Sequence, residues 1–170
     1  MLRGLQSLLG WLLEWITILL MVALTVVVIV AVAYRLAHNS LSWYDEIAAI
    51  LLSWITYYGA ALAALKRRHI GFDSVLLAIP MPARMGAVLV AEVCVLAFFV
   101  LLAKTGLEVL EVLEGDTLVA LTWMPVQFTQ SVIPVGAILF IVAELLSLPD
   151  YWKATAAGHS LEHPEIHEEA

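Results

Sequence analysis

The chain of 170 residues is 63% hydrophobic and 14% charged, with a net charge of −7 and a mean hydropathy of +0.97. A soluble domain holds roughly 45–50% apolar and about 25% charged residues, and one this small has no core able to hide such a surplus. The balance excludes a water-soluble globule, and the lack of an extensive basic face excludes a general nucleic-acid role.

The fold class is therefore an all-α integral membrane protein, with four segments near the twenty apolar residues a spanning helix needs. The first runs from about Trp11 to Leu36. Its MVALTVVVIVAVA stretch would favour a strand in water. At this length and without turn signals, only a helix satisfies its backbone in lipid. It is too long for a signal-peptide core and lacks a convincing cleavage site, so it is read as retained.

The second span runs from about Trp43 to Leu65. Ser42 in S-W-Y-D fits a capping box, and the helix dipole favours the acids that follow. Capping accounts for Asp45 and leaves Glu46 only partly explained. Gly59, Ala60, Ala63 and Ala64 form small-residue pairs that let helices approach in lipid. The span ends in Lys66, Arg67 and Arg68, which together with Arg84 are expected to contact anionic headgroups. Next, IGFDSVLLAIPMPAR, with Asp73 as N-cap and closing at Pro80 and Pro82, reads as a short amphipathic helix in the interface.

The third span covers about Ala83 to Ala103, with Ala83, Ala87 and Ala91 as a further small-residue stripe. Glu92 lies near its middle, where a carboxylate costs roughly 2.5–3.5 kcal/mol on insertion scales and is by default a functional-site hypothesis. No lysine or arginine is expected at its depth. Gln127, Thr129, Gln130 and Ser131, or a group on another subunit, are its expected partners. Cys94, the sole cysteine, excludes an intramolecular disulfide and is expected as a small buried hydrophobe. Beyond the span, GLEVLEVLEGD continues the helix, with Glu108, Glu111 and Glu114 along one stripe. That stripe is either a solvated face or a partner-docking surface.

The fourth span runs from about Thr122 to Leu148 and is expected to kink at Pro134. Glu14 and Glu144 lie near the inner ends of the first and fourth helices, where the cations at Lys66 to Arg68 and Arg84 offset them. Residues 1–150 form the membrane domain. In the acidic tail, 151–170, Pro164 interrupts the spacing of His159, His163 and His167. The tail is read as disordered and cytoplasmic, with no metal site.

Lysine and arginine cluster at the amino terminus and in the second loop. The first and third loops are poor in cations or acidic. Both termini are therefore expected inside. Interfacial Trp11, Trp15, Trp43, Tyr44, Trp123, Tyr151 and Trp152 agree. The sequence contains no GxSxG, HExxH, P-loop or CxxC. A membrane enzyme would rest on His69 and Asp73 alone. An autonomous oligomeric transporter would rest on Glu92 facing a shared cavity.

At Trp43 to Asp73 the chain resembles the small membrane subunit of tripartite ATP-independent periplasmic (TRAP) transporters, the DctQ-like family. The resemblance is carried by Asp45 and Glu46 opening the second helix, then Trp54, Gly59 and Ala60, and Arg68, His69, Ile70 and Asp73. It extends to Trp123 and Pro125, then Ile133, Pro134 and Gly136. The three cations before His69 depart from the family's usual glycine and single basic residue. The resemblance implies a scaffold subunit of a sodium-coupled importer of organic acids in a bacterial or archaeal inner membrane. Its implied partners are a larger membrane subunit, which would carry the sodium coupling, and a periplasmic substrate-binding protein. No cofactor is expected in this chain, and the substrate is not encoded in it.

Overall fold

The computed structural model describes residues 2–67 and 80–157. Its elements are α1 (Leu2–Leu36), α2 (Tyr44–Leu65), α3 (Met81–Val112), α4 (Val126–Gln130) and α5 (Val132–Ala157). Four stretches are long and apolar enough to cross a membrane, the fourth made of α4 and α5 together. The protein is all-α with four spanning helices, as its hydropathy requires.

Helix ends depart from expectation where local chemistry overrides hydropathy. α1 and α3 have 35 and 32 residues, about 48–52 Å at the α-helical rise. They outrun a hydrocarbon core of roughly 30 Å; on α3 the Leu- and Glu-rich end remains a good helix former. Trp43, not Ser42, occupies the N-cap of α2. Its backbone is already in the α region, and no side chain caps it, so the expected capping box is absent. Pro134 does not kink a helix interior. It sits in the first turn of α5, where the N–H it lacks has no helical partner to lose. The interruption falls earlier, at Ser131. At the other end, α5 runs to Ala157, past the expected domain boundary at 150. The expected interfacial helix and the histidine tail lie outside the described residues.

The helices form a row: α1 packs on α2, α2 on α5, and α5 on α3. α5 is therefore central and, among the described residues, carries half of the buried ones. Small side chains set the spacing. Leu13, Ala61, Ala64, Phe140 and Ala143 form the core where α1, α2 and α5 meet. A Cβ at Gly136 would stand 2.6 Å from Tyr57 Cβ, so only glycine fits that crossing. Gly106 likewise seats Pro134, whose Cδ would lie 3.1 Å from an added Cβ. Phe99 of α3 stacks on Phe140 of α5 at 3.6 Å between centroids. In lipid such close packing replaces the hydrophobic effect as the force between helices.

Several apolar positions face away from the row. Ala83, Ala87 and Ala91 are exposed, and an added Cβ at Gly59 would meet nothing within 4 Å. Cys94 is exposed, not buried, because α3 turns Val88, Glu92, Ala103 and Gly106 toward the row instead.

Candidate functional site

Two polar assemblies fasten the row, one where α2 ends and one where it begins. The chain passes out of α2 through Lys66 into Arg67, a non-glycine residue at φ 50°. That left-handed conformation costs about 1–2 kcal/mol. Arg67 Nη1 is 2.6 Å from Glu92 Oε1 of α3 and 2.8 Å from Glu144 Oε1 of α5. Nε donates to Ser147 Oγ at 2.8 Å and Nη2 to the Glu144 carbonyl at 3.3 Å. The guanidinium lies over the Tyr151 ring, 4.5 Å from its centroid. Ser147 in turn donates to the Ala64 carbonyl at 3.2 Å, near the C-terminus of α2. Planar Arg presents a fork of donors suited to such an arrangement.

The neighbouring Lys66 pairs with Glu14 of α1, both side chains being about two-fifths exposed. Glu14, Glu92 and Glu144 thus converge on the end of α2, each several turns from its own helix tip. Beyond that end, Gln6, Trp11, Glu14, Lys66, Arg67 and Asp150 help line an open cleft of about 660 Å³.

This geometry corrects three expectations. Glu92 has a cation at its depth, and that cation is Arg67 of its own chain. Gln127, Thr129 and Ser131 bond instead to the carbonyls of Leu110, Val126 and Phe128. Arg67 is no headgroup contact, since its side chain is only 12% exposed. Centring the third span on 83–103 hid the pairing, because α3 extends to Val112 and Glu92 lies nearer its first third. Ser147 was missed and Tyr151 was read only as an interfacial anchor, although Glu144, Ser147 and Tyr151 are spaced to share one helical face. Of the other basic residues, Arg84 donates to the Thr155 carbonyl at 3.4 Å. Arg68, His69 and Asp73 lie outside the described residues.

At the opposite end, Glu46 accepts hydrogen bonds from the backbone N–H groups of Val119 and Ala120, each at 3.1 Å. It straps the loop between α3 and α4 onto α2, while Asp45 beside it stays exposed. The loop closes on itself through the Thr117–Pro125 bridge and a 2.9 Å bond from Val126 N–H to the Asp116 carbonyl. Pro125 is the N-cap of α4, and Trp123 is 73% exposed on the loop. Lower on α2, the Trp54 indole donates to the Thr129 carbonyl at 2.9 Å beside the helix break and meets the Phe128 ring. Gln127 donates to the Leu110 carbonyl at 2.8 Å, supplying a partner to the frayed end of α3. Glu108 faces Lys104 at 3.8 Å in an exposed pair, and Glu111 and Glu114 are exposed.

Residues 24–153, which include Glu46, Trp54, Arg67, Glu92 and Glu144, match the family described as tripartite ATP-independent periplasmic transporters, DctQ component. The chain belongs to the DctQ family. No curated protein matches it. As a DctQ component it is the small component of a TRAP transporter and a multi-pass membrane protein, in a family of transporter subunits and not of enzymes. Its polar assemblies join helices of one chain.

Proposed function

We propose that this DctQ component is a scaffold. It braces a larger membrane subunit that carries the transport path and the sodium coupling, and it helps dock a periplasmic substrate-binding protein during uptake of organic acids. The reading rests on the open row. Its flanking helices α1 and α3 each pack chiefly along one neighbour and keep the opposite face apolar. On α3 that free face carries the small-residue stripe Ala83, Ala87 and Ala91, a surface suited to close helix contact in lipid. Membership of a tripartite transporter family supports partners of this kind.

In this reading both termini lie on the cytoplasmic side of the inner membrane, following the lysine and arginine asymmetry. The strapped loop, with Glu108, Glu111 and Glu114 beside it, then faces the periplasm as the docking surface. Glu46, Trp54, Pro125 and Pro134 hold that face in shape, and the exposed Asp45 and Trp123 are offered there to another subunit. Gly59, whose flank is open, belongs to a subunit contact together with Arg68, His69 and Asp73. The test is affinity purification of the tagged chain from native membranes. Co-purification of a much larger polytopic protein is the expected result, with no solute uptake by the chain alone in liposomes. A homo-oligomer that transports by itself would reject the scaffold.

A further inference from the structure

The cluster at the end of α2 holds two carboxylates and one guanidinium. Glu92 and Glu144 are 7% and 4% exposed and direct their Oε1 atoms to the same Arg67 nitrogen. Their Oε2 atoms are buried and, among the described residues, have no hydrogen-bond partner. With both acids ionised the cluster carries a net negative charge and two orphaned anionic oxygens in a low-dielectric setting. That arrangement is strongly unfavourable, and two carboxylates sharing one site do not both ionise readily.

Among the described residues, the other charged and titratable groups close by are engaged as follows. On α2's side Lys66 is engaged by Glu14 of α1. On α5, Tyr151 stacks with the guanidinium, and Asp150 lines the cleft and adds a further acid. On α3, Arg84 bonds toward Thr155. The orphaned oxygens are buried, and one proton taken up by the pair removes one of the two uncompensated anionic charges.

We propose that Glu92 and Glu144 form a proton-binding dyad that holds a single shared proton over Arg67, making the cluster electrically neutral. The proton belongs to the pair, not to either residue. The dyad and its guanidinium then enter the bilayer as a neutral unit that links α2, α3 and α5.

Infrared difference spectroscopy of the purified full-length chain in lipid nanodiscs, at neutral pH, reads the protonated carboxyl carbonyl directly. Wild type is expected to show this band, and both Glu92→Gln and Glu144→Gln to lose it. After either change the remaining carboxyl has no second carboxyl with which to share a proton over Arg67. Each single variant should also unfold near the wild-type temperature, because an amide replaces a neutral acid. The double Gln variant should unfold well below it, because Arg67 is left without an anion. Absence of the band in wild type overturns the dyad. So does persistence of the band in either variant, or single variants that are as unstable as the double or fail to fold.

Discussion

At the scale of single residues, Arg67 bonds through Nε, Nη1 and Nη2. Lysine at this position keeps the charge but not the fork. Arg67→Met strips the cation from two buried carboxylates and should cost about 3–5 kcal/mol, the usual penalty for breaking a buried pair. Arg67→Lys should lie between the variant and wild type, both measured as unfolding midpoints in detergent. Glu46 makes a different prediction, because its bonds tie down a loop and not the helix row. Glu46→Ala should raise hydrogen exchange at Val119 and Ala120, each freed amide losing about 1 kcal/mol of protection, while exchange in α5 stays unchanged. Glu92 was legible in the sequence as costly and Glu46 as only partly explained. Their partners were not, since pairing across 25 or 73 residues depends on helix order and depth, which hydropathy leaves open.

Between elements, glycine positions separate packed faces from free ones. Gly136→Ala drives a Cβ to within 3 Å of three Tyr57 atoms, and overpacking of this kind typically costs about 1–3 kcal/mol. Gly59→Ala meets nothing within the chain. It should leave the melting temperature of the isolated subunit unchanged or slightly raised, since alanine favours a helix interior, which a paired thermal scan of the two variants checks. If Gly59 faces another subunit, as proposed, the same change should weaken co-purification of the larger protein. The existence of four helices was readable because twenty-residue apolar runs have one stable form in lipid. The helix boundaries were less readable. α3 continues through its glutamates because they are good helix formers, and the proline at 134 found a first turn where it costs nothing. Small-residue spacing marked α2 as a packing helix but did not say which of its alanines are buried. That depended on which helix became its neighbour.

For the whole molecule, the proposed orientation predicts opposite accessibilities for two exposed positions, Val119 on the strapped loop and Lys153 near the end of α5. In a Cys94→Ser background, Val119→Cys should react with a membrane-impermeant maleimide added to the periplasmic side. Lys153→Cys should react only after the membrane is breached, and the reverse pattern would invert the topology. The row also has a mechanical property. Along one joint, Glu46 holds the loop that leads into the fourth span, Trp54 holds Thr129, Tyr57 is notched into Gly136, and Arg67 is held at Glu144 and Ser147. Sliding α2 by one turn, about 5.4 Å, would release every one of these fastenings at once and wedge Tyr57 against a helix backbone. The joint therefore resists shear along its full length, as a beam pinned at intervals does. If the chain braces a larger subunit as proposed, motion of that subunit should be taken up outside the joint between α2 and α5.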